Sequence, residues 1–392
     1  MVNELYILDT NFNTLTFIDE YISLIWNERY NEAGDFELIL PKSSPVIPYM
    51  AMNNYLWSAN SDKLMIIENY KTQSDILSGD EILYSGRSLE SILDRRIVWQ
   101  QTTVSGKVQD VIRKLLNDSI IFQKKNGNVW IDEYETSDRR IENFRFEPNS
   151  DAKLAEITMP EAQFTGDNIY EVINTITKLY KIGYKIYLNP TTRELIDDET
   201  GEHYQYTVNQ FIFKLYLGVD RSSKQTTVPQ IEFSENNENL LSSLATILGD
   251  TYRNVALIAG EGEGLARRTK TYGTETGLTR RELFVDARDI SSNNGAISND
   301  SYLKLLEERG KEKLKDYEIK KETDTDVDTN SDLYELGMDY MLGDVVENVD
   351  SFGIRSRSRI TEITTSITPS EISMHPIFSV EEIVNETDKE TT

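Results

Sequence analysis

The sequence lacks cysteine altogether, and it contains only two histidines, His203 and His375, among 392 residues. Without cysteine the chain can form no disulfide, no thiolate zinc site and no cysteine nucleophile. Neither histidine lies in a glycine elbow or beside a nucleophile motif, so a Ser-His-Asp triad is not indicated. The P-loop, HExxH and GxGxxG patterns are missing as well. The sequence therefore predicts a protein that is not an enzyme and needs no cofactor.

Basic residues are also scarce, since 41 lysines and arginines face 67 acidic residues and give a formal net charge of −26. An electrostatic field of this sign repels phosphate backbones, so we expect no stable nucleic-acid binding. No run of about 18 apolar residues occurs, and no charged start precedes an apolar run. The sequence thus predicts neither a membrane segment nor a signal peptide, and we expect the chain to fold in a cytoplasm.

The first block of the chain, residues 1–99, is typical of short strands separated by turns. Phe36, Leu38 and Leu40 occupy alternate positions after Ala33-Gly34. This spacing predicts a hairpin with one buried face, because side chains alternate between the two faces of a strand. We expect this block to form a β-barrel-like domain.

Apolar residues then recur at helical spacing, so residues 100–235 are predicted to form an α+β middle domain. Ser105 is the candidate cap of a first helix, and Asp167 and Gly183 are the candidate start and stop of a second. A polar insertion is expected around residues 189–209. The two apolar stripes consist of Val108, Val111, Ile112, Leu115 and Leu116, and of Ile169, Val172, Ile173, Ile176 and Tyr180.

Strand patterns return in residues 236–380, which we expect to form a second β-rich, barrel-like domain with one charged helix at about 301–320. Glu307 and Lys311 form an i,i+4 pair in that helix, in the favourable order. Residues 381–392 are expected to form a flexible acidic tail. The predicted fold class is α+β, mainly β, with two barrel-like strand-rich domains, an inserted helix-containing α+β domain, and a baseplate-hub-like arrangement.

Six oxygen-bearing residues follow the spacing of a calcium-binding loop, at its positions 1, 3, 5, 7, 9 and 12. However, Thr329 stands at position 6, where the sharp turn needs glycine, and Ser331 stands at position 8, where an apolar residue usually anchors the loop. Alternating threonine and aspartate fits an exposed strand equally well, so the pattern is only a weak candidate. The residues concerned are Asp324, Asp326, Asp328, Asn330, Asp332 and Glu335.

Three arginines, Arg355, Arg357 and Arg359, alternate in "GIRSRSRITEI" and therefore line one face of a predicted strand. Three arginines neutralise too little phosphate to outweigh a net charge of −26, which argues against a nucleic-acid site. We interpret them as a basic face that pairs with acidic strands of the same subunit or of a neighbouring one.

The stretch "GRSLESILDRRIVWQQT", residues 86–102, combines an apolar stripe with Arg95 and Arg96. Ser88 is the candidate cap of a short helix, Leu89, Ile92 and Leu93 are expected to face inward, with Glu90 on the surface, and Trp99 is expected to lie in an apolar environment. Taken alone, the two arginines fit either the anion-binding groups of an active site or the charged end of a helix, which the helix dipole favours in any case.

Long stretches of this chain, in order, resemble the siphophage tail-tip hub family, the N-terminal structural part of tail-associated proteins. That family is related to the baseplate hub of contractile-tailed phages. The resemblance runs from about residue 4 to residue 364. It rests on "ELYILDTNFN", "ISLIWNERYNEAGDFELILP", "GRSLESILDRRIVWQQT", "NVALIAGEGEGLARRT" and "YMLGDVVENVDSFGIRSRSRITEI".

The resemblance implies a virion protein of the tail tip, assembled in the host bacterial cytoplasm. It implies a homotrimer that contacts the distal tail protein ring, adapts six-fold to three-fold symmetry, and closes or continues the tube through which DNA passes. A tape measure protein and a receptor-binding or fibre protein are further candidate partners. Arg95, Arg96, Arg355, Arg357 and Arg359 become interface candidates, and no catalytic residue is implied.

Two alternatives stay open at this point. The 21 tyrosines and four tryptophans could stack on sugars, which would suit a receptor- or cell-wall carbohydrate-binding tail module. A cell-wall hydrolase is the weaker alternative, because no pair of acidic residues is singled out by its spacing.

Overall fold

The structure is a computed structural model, and it describes residues 5–58, 61, 63–75, 79–196, 203–327, 333–349 and 355–383. Four α-helices occur in these residues: α1 (Val108–Leu116), α2 (Ala152–Glu156), α3 (Ile169–Leu179) and α4 (Asn299–Lys315). The strands are β1 (Leu5–Leu8), β2 (Thr14–Ile18), β3 (Ser23–Arg29), β4 (Asp35–Pro41), β5 (Tyr55–Ser58), β6 (Leu64–Asp75), β7 (Gly79–Ser88), β8 (Thr102–Lys107), β9 (Gln123–Asn126), β10 (Val129–Tyr134), β11 (Phe144–Glu147), β12 (Thr158–Phe164), β13 (Gly183–Ile196), β14 (His203–Tyr216), β15 (Glu232–Ser234), β16 (Leu240–Leu248), β17 (Val255–Ala259), β18 (Thr269–Tyr272), β19 (Glu282–Asp286), β20 (Lys320–Val327), β21 (Val345–Val349), β22 (Arg355–Ile367) and β23 (Ile372–Ile383). Strands predominate, which confirms the predicted α+β, mainly β class.

The largest sheet contains 13 strands and joins the first and last parts of the chain. Its main path is β16-β20-β23-β22-β3-β4-β7-β6-β5-β1-β2, and β21, itself paired with β15, lies against β22. The link between the two parts is the antiparallel pairing of β3 with β22, from Arg29 opposite Glu362 to Leu24 opposite Ile367. Strands of the predicted first and third domains thus share one sheet, and the boundaries at residues 99, 235 and 380 stay a prediction.

The β3–β4 hairpin forms as its alternation predicts. Phe36, Leu38 and Leu40 are fully buried, and β3 pairs with β4 in antiparallel register. They pack in one core with Leu5, Ile7 and Leu56 from the strands at the other end of this part of the sheet. The hydrophobic effect of this burial fixes the register, because a one-residue slip would expose the whole apolar face.

The middle of the chain carries α1 and α3, and the predicted apolar stripes of both helices are buried except Tyr180, which is half-buried. Burying each large aliphatic side chain contributes about 1.5–3 kcal/mol, which is what holds helices of this length. Within the polar insertion predicted at residues 189–209, the described residues 189–196 and 203–209 instead belong to two long paired strands, because β13 and β14 pair from Gly183 opposite Tyr216 to Ile196 opposite His203.

The helix ends differ from the predictions. The N-terminus of α1 follows Lys107 and has no side-chain cap, so the Ser105 cap was wrong. For α3 the cap is Asn168, whose side chain accepts hydrogen bonds from the backbone amides of Tyr170 and Glu171. The preceding Asp167 accepts from the Thr165 amide instead. After α3 the left-handed residue is Lys181, with φ of 55°, so Gly183 begins a strand and does not end the helix.

The part of the chain that connects β16 to β20 forms a small three-stranded sheet, in the order β18-β17-β19, and the helix α4 that packs against it. The predicted charged helix is therefore present, and Lys311 Nζ lies 3.4 Å from Glu307 as its spacing indicates. The shared core of helix and sheet includes Ala256, Ile258 and Tyr302. No pattern of residues predicts that these strands form a separate sheet.

Tyr30 connects three parts of the chain from a fully buried position. Its hydroxyl donates to the carbonyl oxygens of Lys181 and Tyr216 and accepts from the amide of Gly218. Its ring lies so close to Gly343 that an added Cβ there would stand 2.2 Å from a ring carbon. The first strands, the middle hairpin and the turn before β21 therefore meet at one side chain.

None of the helices in the described residues is both long enough and apolar enough to cross a membrane.

Candidate interaction site

The stretch that raised the question of Arg95 and Arg96 folds as the end of β7 followed by a 3-10 segment, Leu89–Arg95. Leu89, Ile92 and Leu93 are buried, as predicted. The predicted cap is wrong, because the Ser88 hydroxyl does not cap the segment but accepts a hydrogen bond from the amide of Gly34 at 2.8 Å. The segment is thus held against the β3–β4 turn.

Glu90 fixes this segment from inside. It was expected on the surface, but its side chain is fully buried and accepts from Lys63 Nζ and from the amide of Ile186 at 3.1 Å. A buried charge needs such partners, because desolvation costs several kcal/mol per ion. The pair joins the segment to β6 and to β13, so the backbone that carries Arg95 and Arg96 is held on both sides.

After the 3-10 segment, the side chains of successive residues point alternately inward and outward, because the backbone is extended and pairs antiparallel with residues 166–169. The amide of Val98 donates to Asp167 O at 2.8 Å, and Val98 O accepts from the Gly166 amide at 2.7 Å. Val98 is buried, whereas Ile97 and Trp99 point outward. Trp99 is 64% exposed, so the expectation of an apolar environment for it was wrong.

These outward residues border an open cavity of about 350 Å³, which we call the Arg95 cavity. Arg96 Nε donates to the carbonyl oxygen of Arg139 at 2.8 Å, and the Arg139 guanidinium lies 5.5 Å from the Trp99 ring centre. The cavity therefore brings together two segments about 40 residues apart in sequence. Its lining consists of Asp94, Arg95, Arg96, Ile97, Trp99, Asp138 and Arg139.

The guanidinium groups around the Arg95 cavity have no carboxylate within ion-pair distance in the described part of the chain. Arg95 is exposed and Arg96 bonds only to carbonyl oxygens. Asp94 is already engaged, since it accepts from Asn168 Nδ2 at 2.9 Å and from Arg87 at 3.1 Å. Burial raises the pKa of the Tyr55 hydroxyl, and the positive charge of Arg95 opposes that rise. The lining thus has three arginines against Asp138 and the already paired Asp94, which makes the cavity locally cationic on an acidic chain.

The second group of candidate arginines lies on β22 and alternates as predicted, with Ser356, Ser358 and Ile360 buried on the other face. Arg355 pairs with Glu232 and Glu347, and Arg357 Nε lies 3.8 Å from Glu347.

Arg359 pairs with Glu381 at 2.8 Å and donates to the carbonyl oxygen of Gly343 at 2.6 Å. These contacts are all within one chain, which is the first of the two options left open by the sequence. Whether the three arginines also lie at an interface stays a prediction.

Neither the calcium candidate nor the histidines assemble a site in the described residues. Asp324 and Asp326 lie in β20, where their backbone pairs with β16, and Glu335 follows later. Asp328, Asn330 and Asp332 lie outside the described residues, so the calcium loop stays a prediction. Within the described ranges, no three His, Asp or Glu side chains converge as metal ligands.

Sequence reasoning found Arg95 and Arg96 but missed Arg139, Asp138 and the outward direction of Trp99. Arg139 follows the β9–β10 hairpin, and no periodicity places that loop against residue 96. The signal that could have helped is the apolar run in "RRIVWQQ". In an extended strand Ile97 and Trp99 lie on one face and Val98 lies on the other, so the three cannot all face inward.

Comparison with known proteins gives one family and several structures. A family model described as Siphovirus ReqiPepy6 Gp37-like protein matches residues 4–378. No curated protein matches the chain.

Among solved structures, the tail protein from Neisseria meningitidis MC58 is similar over 97% of this chain and 97% of its own, with 11% identity and a TM-score of 0.52. The prophage tail protein gp18 from Listeria monocytogenes EGD-e is similar over 98% and 96%, with 12% identity and a TM-score of 0.46. The 43 kDa tail protein of prophage MuSo2 from Shewanella oneidensis is similar over 96% and 98%, with 10% identity and a TM-score of 0.49.

At 11% identity the Neisseria meningitidis protein shows a shared fold, that of a protein described as a tail protein, and no more. The family match is of a different kind, because it spans nearly the whole chain and agrees with the resemblance to siphophage proteins seen in the sequence. The chain therefore belongs to the Siphovirus ReqiPepy6 Gp37-like family.

Proposed function

We propose that this protein is a structural component of a phage tail, where it forms a homotrimeric hub at the tail tip. In this role it adapts the hexameric distal tail ring to three-fold symmetry, and it closes or continues the tube for DNA delivery. Membership of a siphovirus family and the shared fold with a tail protein support the structural part of this proposal. Its work is then geometric, and no catalytic group takes part.

The observation that carries the ring is the state of the two ends of the large sheet. The path begins at β16 and ends at β2, and no described strand pairs with the outer side of either one. Both edge strands expose apolar side chains, Leu15 and Phe17 on β2 and Ile247 and Leu248 on β16. Exposed apolar edge strands are templates for pairing with another chain.

Two different edges on one sheet favour head-to-tail contacts between copies, because β2 of one copy can add to β16 of the next. Such heterologous contacts generate a ring when the rotation between subunits closes. The number of copies, three, comes from the family resemblance, and the two sheet edges are the contacts that we propose close the ring.

The acidic composition fits the passage of DNA. A tube that DNA traverses works better when its wall repels phosphate than when it holds phosphate, and this chain carries 67 acidic residues against 41 basic ones. We expect acidic side chains on the wall of the lumen, and a basic wall would contradict this part of the proposal.

The experiment is to image assembled tail particles that contain this protein at a resolution that resolves single subunits. We expect three copies around the tail axis, next to a six-fold ring, with sheet edges in contact. A single copy, a position away from the axis, or a turnover reaction measured for the purified chain would each contradict the proposed function.

The carbohydrate-binding alternative stays a prediction. It can be checked by sedimenting the purified chain with cell-wall glycan, and we expect the chain to remain in the supernatant.

A further inference from the structure

The lining of the Arg95 cavity contains the guanidinium groups of Arg95, Arg96 and Arg139, and none of the three forms an ion pair within the described residues. This is unusual in a chain with 26 more acidic than basic residues, because carboxylates are numerous enough to pair with every cation. The lining contains two acidic side chains: Asp94 is already engaged by Arg87 and Asn168, and the exposed Asp138 forms no ion pair with the three arginines, so the guanidiniums outnumber the available carboxylates. The cationic character of the cavity is therefore directed at something outside the protomer.

The apolar part of the lining narrows the choice of partner. Ile97 and Trp99 are 39% and 64% exposed at the rim, next to the guanidinium groups. Tryptophan and arginine are the residues that dominate binding energy at protein–protein contacts. A nucleic acid is disfavoured by the net charge of −26. This composition fits an acidic polypeptide segment better than a phosphate backbone.

The net charge of the chain also indicates which polypeptide binds in the cavity. Two copies that each carry −26 repel one another, so copies that assemble need contact points where positive charge is locally in excess. The arginines of β22 do not provide it, because they are neutralised inside the chain by Glu232, Glu347 and Glu381. The Arg95 cavity does.

We propose that the Arg95 cavity is the docking site for a carboxylate-bearing segment of a second copy of this chain. The partner's carboxylate lies between the Arg95 and Arg139 guanidiniums, and its apolar neighbours cover Trp99. The inference rests on the proposed function in that it requires self-assembly, and it adds the place and the chemistry of one contact.

The first test measures association of the full chain by sedimentation velocity over a range of protein concentrations. The variant is Arg95→Glu, which alters an exposed side chain that makes no ion pair in the described structure. Lys153→Glu is the matched control, since it changes the charge equally at another exposed position, and Arg95→Lys keeps the charge. We expect association to weaken at least about tenfold in Arg95→Glu, and to be unchanged in Lys153→Glu and nearly unchanged in Arg95→Lys.

The second test identifies the partner segment, and the absence of cysteine makes it clean. An Ile97→Cys variant is labelled with a thiol-directed photo-crosslinker, mixed with an isotope-labelled wild-type chain, and the crosslinked peptides are sequenced by mass spectrometry. We expect crosslinks between the two isotopic forms, within a peptide rich in Asp and Glu. Crosslinks confined to one chain, or to a peptide without acidic residues, would overturn the inference.

The two failures are distinguishable. Equal association of wild type and Arg95→Glu overturns the docking site and leaves the ring intact, with the sheet edges as its contacts. A wild-type chain that stays monomeric at every concentration contradicts the homotrimer and the docking site together.

Discussion

Two groups of arginines in this protein have the same predicted role and opposite surroundings. On β22, Arg355 and Arg359 are paired with carboxylates of the same chain, and a neighbouring strand delivers Glu347. Around the Arg95 cavity, Arg95 and Arg96 meet only carbonyl oxygens or solvent in the described structure. The difference teaches that the fold supplies internal carboxylates to one group of arginines and none to the other, which leaves the charge of the second group available to another chain.

The reason for the difference lies in topology. β22 lies inside the sheet, with β23 on one side and β21 followed by β3 on the other, so acidic residues of neighbouring strands come opposite its arginines, as Glu347 does opposite Arg357. Arg95 instead ends a 3-10 segment at the surface, and no described strand pairs with it. Internal pairing makes the first group part of the stability of the fold, and its absence leaves the second group free of that role.

The largest effect is expected from Glu347→Gln. Glu347 is buried and accepts hydrogen bonds from Ser223 and Arg355, with Arg357 nearby. Removing the charge of this buried side chain leaves the half-buried Arg355 with one carboxylate fewer, which costs about 3 kcal/mol, the lower end of the usual range because Arg355 keeps Glu232. Thermal or chemical unfolding measures this loss. Glu371→Gln, at an exposed residue, is the matched control and should change nothing measurable.

Arg359→Gln is expected to have the next largest effect. Its side chain donates to Glu381 and to the carbonyl oxygen of Gly343, and it lies 5.4 Å from the Tyr30 ring centre. Losing hydrogen bonds of a charged donor costs about 2 kcal/mol. The loss should appear as a lower denaturant midpoint with an unchanged slope. An effect no larger than that of Arg95→Gln would erase the contrast between the two groups.

The pH dependence of stability sharpens the same comparison. Burial alone would raise the pKa of Glu347, but the hydrogen bonds from Ser223 and Arg355 outweigh it and hold the pKa below its ordinary 4.5. A carboxyl with a depressed pKa in the folded state stabilises the protein fully above 4.5. It loses that contribution as pH falls through the lower folded pKa, at no more than about 1.4 kcal/mol per pH unit. Between pH 5 and pH 3, Glu347→Gln should therefore lose less stability than wild type, as unfolding at each pH will show.

How much of this followed from the sequence differs between the elements. Periodicity was enough for α1, α3 and β4, because burial of an apolar stripe at a fixed spacing is a local property of the chain. It was not enough for the pairing of β3 with β22, which joins residues more than 330 positions apart. It was also not enough to predict that Glu90 is buried. A charged residue is expected on the surface, and the partners that allow its burial, Lys63 and the amide of Ile186, are distant in sequence.

The candidate site shows the same limit. Arg95 and Arg96 were visible as a pair, but Arg139 reaches the cavity only through the loop after the β9–β10 hairpin. The predicted start of α3 was wrong for a local reason. Both Asp167 and Asn168 are residues that can cap a helix, and which of them does so depends on one backbone turn.

The smallest effect is expected from Arg95→Gln. Its exposed side chain makes no ion pair within the described residues, so its removal should change the free energy of unfolding by no more than about 0.5 kcal/mol, in a dilute sample that does not self-associate. The measurement is the same unfolding experiment used for Glu347→Gln, at equal protein concentration. A loss of stability close to that of Arg359→Gln would mean that Arg95 has an internal partner after all, and the distinction between arginines that hold the fold and arginines that face outward would fail. A null result matters equally, because a residue that contributes nothing to its own fold, beside an exposed tryptophan, leaves its charge available for contact with another chain.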